Sequence, residues 1–474
     1  MSQEYKFLVD GRLRSSAEPV EIRSPYDGEL AGVTWRAGAA DVEDAIEAAR
    51  KAFEETRRWP TFRRVELIEG ILRLVRERQE SFARLIVLEA GKPIRLARAE
   101  VNRAIATLTD AVEEAKRVRG EWLPLDLDRS MEGRHALVRR FPVGPVAAIT
   151  PFNFPLNLAI HKLAPALACG NTMVIKPAPQ APLSVLALAQ AVTEAGAPPG
   201  LLGALFCDVE DARAMVTDPR VKLLSFTGSA GVGWDLKRAA GKKRVVLELG
   251  GNAGVAVHSD ADVDLAARRC AYGGFAFAGQ TCISVQRIYA HRSVFDLFAA
   301  RLLEEVGKLK VGNPLDETTD LGPMISVREA ERAERWVREA VLGGATVLHG
   351  GQRDRGTLQP TVLTGTNRRM SVCCQEIFAP VVVLEPYDDL PQALSLLNDS
   401  AYGLQAGLFT RDVSVSFAAF EDLEVGGLVL NDVPTFRADS MPYGGVKDSG
   451  LGREGVRYAI EEMTERKTLV FNLR

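Results

Sequence analysis

Three short segments hold side chains suited to covalent chemistry at a carbonyl. In AGQTCISV (278–285), Cys282 follows a helix of small residues and sits among glycine and hydroxyl residues. A thiolate there is a nucleophile if its pKa is lowered, whereas a lone cysteine is more often a small packing residue. In VVLELGGNAG (245–254), a β-branched run ends in Glu248 beside Gly250 and Gly251, so a carboxylate stands at a strand end next to pliant backbone. A general base needs such placement, although a strand-end ion pair is the plainer reading. In TPFNFP (150–155), Asn153 lies just past a strand between Pro151 and Pro155, which restrict the backbone on both sides. Held rigidly, its amide can donate to a developing oxyanion; otherwise it is a turn asparagine.

These segments need elements to position them. Residues 41–57 set Val42, Ala45, Ile46, Ala49 and Phe53 on one helical face and 62–78 repeats the spacing, so the first hundred residues are predicted to be mainly helical. From about residue 144, short β-branched runs (VAAIT, TMVIK, GALF, KLLSF) alternate with amphipathic helices, the pattern of an α/β protein with a doubly wound parallel sheet. Ligands of such sheets bind outside the carboxyl ends of the strands, which points to the loops after VAAIT, TMVIK and KLLSF. KLLSF runs into TGSAGVG and the helix WDLKRAA, where free amides can hold a pyrophosphate. Its glycines at 228, 231 and 233 do not fit GxGxxG, and no GxxxxGK[ST] occurs, which argues against a P-loop NTPase.

A second α/β stretch runs from about 250 to 427, with strands in SVQRIYAH, ATVLHG and PVVVLEPY. Residues 122–142 read as two strands joined by a polar turn, and TLVFNLR as one more strand. Neither piece has an obvious partner within its own domain, so pairing with another subunit is expected.

Composition narrows the function. A chain of 474 residues forms two or three units. The formal charge of -3 is spread without a basic run or acidic tail, which leaves no electrostatic footprint for nucleic acid or anionic lipid and favours a small-molecule partner. The six cysteines lack CxxC pairs, and the adjacent Cys373 and Cys374 are poorly placed to bond to each other and are expected to be packing residues. Five histidines (135, 161, 258, 291, 349) show no ligand spacing, so no metal is expected. The amino terminus has scattered charges and no apolar core of signal-peptide length, and no stretch reaches membrane-span length; the expected location is the cytoplasm.

Taken in order, TPFNFP, VIKPA, FTGS, ELGG, GQTC, EIFAP and PYGGVKDSGLGREG closely resemble the aldehyde dehydrogenase superfamily, motif by motif from residue 150 to 455. The resemblance implies two doubly wound α/β domains and a small β oligomerisation arm. Residues 1–121 and 143–249 would bind the dinucleotide, 250–448 would form the catalytic domain, and 122–142 with 464–474 the arm of a dimer or tetramer. It makes Cys282 the nucleophile, Glu248 the base, and Asn153 with the Cys282 amide the oxyanion hole. Attack of the thiolate on an aldehyde gives a thiohemiacetal, loss of hydride to a nicotinamide gives a thioester, and water activated by a carboxylate opens it. Relatives that pass the acyl group to coenzyme A generally lack this glutamate, so Glu248 favours a free acid.

For the cofactor, the resemblance sets Lys176 on the adenosine ribose, Gly228 and Ser229 near the pyrophosphate, and Glu376 on the nicotinamide ribose with Phe378 beside the ring. Thr150, Pro151, Phe152, Phe226, Thr227 and Leu249 would complete the site. Many NAD-preferring members carry a glutamate three residues after the lysine; here that residue is Pro179. Asp208, Glu210 and Asp211 in CDVEDARAM would repel a ribose phosphate if near it, which favours NAD without excluding NADP. Arg103, His161, Thr281 and Arg437 are the candidates for the substrate. Two converging arginines suit a carboxylate, phosphate or phosphonate on a short aldehyde, as in the lactaldehyde, semialdehyde, glyceraldehyde phosphate and phosphonoacetaldehyde branches; the alternative is that both sit in ion pairs. The rival function is a cysteine hydrolase or acyltransferase without a redox cofactor, which usually adds a histidine beside the thiol.

Overall fold

The computed structural model describes residues 3–473. Its larger sheet has eight strands in the order Gly450–Leu451, Arg244–Glu248, Leu223–Thr227, Val146–Ile149, Met173–Lys176, Leu202–Ala204, Phe7–Val9 and Arg12–Arg14. The five strands from Arg244–Glu248 to Leu202–Ala204 are mutually parallel, and both edges are antiparallel. Register aligns their carboxyl ends: Ile149 lies opposite both Phe226 and Lys176, and Thr227 opposite Glu248. Four strand ends thus bring Thr150, Lys176, Gly228 and Leu249 to one edge.

A second sheet of seven strands runs Thr346–His349, Thr361–Thr364, Val381–Tyr387, Arg287–His291, Gly254–Val257, Gln405–Phe409 and Gly427–Leu430, over its own apolar core. Cys282 and Glu376 stand in the loops that enter Arg287–His291 and Val381–Tyr387. The amino edge of this sheet therefore meets the carboxyl edge of the first, and the carboxyl-end rule of wound sheets accounts for one wall of the site and not the other.

Residues 4–35 form five strands, which corrects the helical expectation for this stretch; helices begin at Ala39–Thr56 and Thr61–Glu77. The missed signal was Asp10-Gly11, whose φ angles of 50° and 71° close a two-residue turn between Phe7–Val9 and Arg12–Arg14, a turn this dipeptide favours. The helix after Leu223–Thr227 starts at Ala230, inside the glycine run. Glu121–Pro124, Arg134–Pro142 and Thr464–Asn472 pair with one another in a three-stranded sheet, so the two pieces read as lacking a partner find one in each other within the chain. All six cysteines are free; Cys373 is buried, but Cys374 is exposed and does not pack. Among the described residues no helix is long and apolar enough to cross a membrane, and no group of His, Cys, Asp or Glu could hold a metal ion.

Candidate active site

Between the two facing sheet edges lies a cavity of about 860 Å³, and Cys282, Glu248 and Asn153 all line it. The approach to Cys282 is strained: Phe277 and Ala278 have φ of 50° and 53°, and Gly279 follows at 68°. Left-handed non-glycine residues cost about 1–3 kcal/mol each, so surrounding contacts must hold them. Gln280 does so, its side chain accepting from the Ile325 N–H at 2.8 Å and its carbonyl accepting from Asn153 Nδ2 at 3.0 Å. That bond takes one of the two amide hydrogens of Asn153 and leaves one for a substrate oxygen.

Buried charge fixes the Asn153 loop from behind. Glu100 accepts from the N–H groups of Leu156 (3.0 Å) and Asn157 (3.2 Å) at the start of the helix Pro155–Cys169, where a carboxylate satisfies orphan amides and the helix dipole. Lys92 pairs with Glu100 and stacks 3.8 Å over Phe154.

Glu248 ends its strand buried, and neither carboxylate oxygen has a hydrogen-bond partner. Burial, followed by the charge of Glu454, pushes its carboxyl well above the usual range. The two glycines after it are required by contact. A Cβ at Gly250 would stand 2.1 Å from the Glu376 carboxylate, and one at Gly251 2.2 Å from the Cys282 carbonyl. The Cys282 side chain faces the cavity partly exposed, and burial of its sulfur pushes the thiol up to about 12, while the Tyr443 hydroxyl, 3.0 Å away, pulls in the other direction. A thiol shifted in this direction needs activation before it reacts as a nucleophile.

The other wall fits a dinucleotide. Lys176 is buried, with its ammonium reaching the Pro177 carbonyl at 3.5 Å and in no salt bridge among the described residues; desolvation lowers its pKa. A buried amine so poorly partnered is suited to ribose hydroxyls. The buried hydroxyls of Thr150 and Thr227 also lack partners. A Cβ at Gly228 would strike the Phe226 ring at 2.5 Å, so the chain turns tightly there into Ser229 and the helix Ala230–Ala239, whose amides open on the cavity. Leu249 packs on Phe226, and Phe378 meets Phe152 edge-on at 5.9 Å beside Pro151.

Glu376 accepts from the Gly251 N–H at 2.9 Å, and burial raises its carboxyl to about 7. Were Glu376 to hold a ribose, only its ionised form would accept from both hydroxyls, and dinucleotide affinity would fall as pH drops through about 7. Titration calorimetry at pH 6 and 8 is expected to show tighter binding at pH 8, and Glu376→Gln to remove the difference.

The expectations for the substrate end need revision. Arg103, Thr281 and Arg437 line the cavity, but His161 does not; its ring is buried and its Nε2 meets Asp439 at 2.7 Å. Neither arginine is free. Arg103 forks onto Asp439 at 3.0 and 2.7 Å, and Arg437 pairs with Glu454 at 3.0 Å while stacking 3.8 Å over the Tyr443 ring. Lys162 meets Glu454 from the far side at 3.2 Å. Of the stretch 207–215 only Val209 lines the cavity, and Asp208 pairs with Arg36, which weakens the repulsion argument against a ribose phosphate. Sequence reasoning missed Tyr443, Glu454, Lys162 and Glu100. The first two stood inside PYGGVKDSGLGREG without an assigned role; the last two had no local signal.

Comparison with known proteins agrees with this geometry. The model of the aldehyde dehydrogenase family matches residues 13–469. The chain is 46% identical over 472 residues to a 3-sulfolactaldehyde dehydrogenase of Priestia aryabhattai, covering 99% of this chain and 98% of the relative. Aldehyde dehydrogenase 21 from Physcomitrella patens, solved with its reaction product succinate, superposes with a TM-score of 0.98 at 42% identity over 100% of this chain and 99% of the other. A glyceraldehyde-3-phosphate dehydrogenase from Methanocaldococcus jannaschii, solved with NADP, gives 0.93 at 39% identity over 97% and 99%. With its sulfur, carboxylate and amide gathered around one cavity, the chain belongs to the aldehyde dehydrogenase family.

Proposed function

We propose that the protein oxidises a small anionic aldehyde to its carboxylic acid, with NAD as the oxidant and NADP not excluded. The observation that carries this reading is one cavity lined by Cys282, Glu248 and Asn153 together with Lys176 and Glu376. Cys282 attacks the aldehyde carbon, and its proton leaves to water. The free N–H of Asn153 and the Cys282 amide hold the new oxyanion; a single donor of this kind is typically worth roughly 3 kcal/mol. A bound nicotinamide dinucleotide, held at its riboses by Lys176 and Glu376, supplies the two-electron oxidation that leaves a thioester on Cys282. Glu248 then takes a proton from water, which opens the thioester to the acid.

Arg103 and Arg437 along the cavity support an anionic substrate, each held in place by an ion pair, to Asp439 and Glu454. Burial, followed by the charge of Arg437, lowers the pKa of His161, and burial raises that of Glu248. The relatives above are named for, or solved with, a sulfonate, a carboxylate and a phosphate compound. Arg437→Leu is expected to raise KM for an anionic aldehyde by about 10- to 100-fold, the worth of one charge-assisted bond, with a much smaller change for a neutral aldehyde. Breaking a buried pair costs about 3–5 kcal/mol, so Arg103→Leu, at a more exposed pair, is run beside it; equal effects on both aldehydes would remove the anionic substrate.

The eight-stranded sheet would serve the dinucleotide, the seven-stranded sheet the chemistry, and the three-stranded arm, whose Trp122, Leu469 and Val470 are exposed, assembly with a second copy in the cytoplasm. A panel of short charged and neutral aldehydes with each cofactor, followed at the nicotinamide absorbance, tests the function. A hydrolase or acyltransferase would leave that absorbance unchanged.

A further inference from the structure

Tyr443 is buried, and among the described residues its hydroxyl hydrogen-bonds to one group, the sulfur of Cys282, at 3.0 Å. The residue is held from three directions. Its N–H donates to the Glu454 carbonyl at 3.0 Å and its carbonyl accepts from the Glu454 N–H at 2.7 Å, so its backbone is bridged both ways. Arg437 lies 3.8 Å over the ring face, and Glu454 in turn anchors Arg437. A phenylalanine would fill the same volume without a hydroxyl to satisfy. Burying a hydroxyl is unfavourable unless it finds a good partner, and a neutral thiol is a weak one. Between a thiol and a phenol either atom can donate. Once the sulfur has lost its proton only the phenol can, and the bond becomes charge-assisted. The guanidinium on the ring face draws electron density from the phenol and strengthens it as a donor.

Resting on the reading of Cys282 as nucleophile, we propose that Tyr443 is a further catalytic residue, whose hydroxyl donates to the Cys282 thiolate and stabilises it until it attacks. Burial also holds the tyrosine proton well above its ordinary range, and the sulfur beside it adds to this, so the phenol remains the donor when the thiol ionises.

The test is the pH profile of Cys282 alkylation by iodoacetamide, in which the sulfur displaces iodide, read on the Cys282 peptide by mass spectrometry. The exposed Cys374 is read in the same samples as an internal standard. Tyr443→Phe keeps the ring under Arg437 and should move the Cys282 profile to higher pH, read as roughly tenfold slower alkylation at a given pH, with Cys374 unchanged. Incorporating 3-fluorotyrosine at position 443, whose hydroxyl is a slightly stronger acid and still a donor, should move it down. Should Tyr443→Phe disturb the fold, seen as a lower Tm, the fluorinated protein alone decides. A profile unmoved by both, or moved in the same direction by both, overturns the proposal. If alkylating Cys282 leaves aldehyde oxidation intact, the nucleophile assignment itself fails, a separate result from an unmoved profile with alkylation still inactivating.

Discussion

Cys282→Ser is expected to lower kcat/KM for aldehyde oxidation by at least about 10⁴-fold while leaving dinucleotide binding within about threefold of wild type, the scale on which removing a covalent nucleophile acts. The sulfur is approached through three consecutive left-handed residues and tied to the Asn153 loop through Gln280, so its position is set by backbone contacts that serine preserves. The Lys176 and Glu376 contacts do not use the sulfur. Loss of rate therefore reports chemistry, and steady-state kinetics with fluorescence titration of the dinucleotide checks both halves. A variant that kept a tenth of the activity would show that the sulfur is not the attacking atom.

Glu248→Gln is expected to separate the two halves of the reaction. Glu248 is buried without hydrogen-bond partners among the described residues, and burial followed by the charge of Glu454 raises its pKa, an environment that makes its carboxylate a strong base. The amide replaces it in shape but cannot take a proton from water. One equivalent of reduced dinucleotide should form rapidly, and turnover should then fall by about 10²- to 10⁴-fold, the usual worth of a general base. Stopped-flow absorbance reads both phases. In the wild type, turnover should decline as pH falls and the carboxyl stays protonated. A missing burst with equal loss in both phases would assign Glu248 to the first step.

The trio that meets at the cavity was legible because each member sits where local sequence makes a sharp statement. Glu248 closes a β-branched run before two glycines, Asn153 lies between two prolines, and Cys282 follows a run of small residues. The wound sheet was equally plain from the alternation after residue 144. What was not legible depended on contacts between residues far apart in the chain. The pairing of Arg103 with Asp439 and the seat of Glu100 under the Asn153 loop join distant elements, and no local pattern announces them. Arg437 and Glu454 are close in sequence, yet only the fold of their loop turns the charges together. Asp10-Gly11 was a local signal passed over in favour of helical spacing further on.

The central claim is that the sulfur of Cys282 carries the acyl group between oxidation and hydrolysis. Glu248→Gln, mixed with aldehyde and dinucleotide and quenched in acid within the burst, should gain the mass of the aldehyde less two hydrogens on the peptide holding Cys282, and hydroxylamine should remove it. No such adduct at full burst, or an adduct on Cys207 or Cys374 instead, would contradict the account.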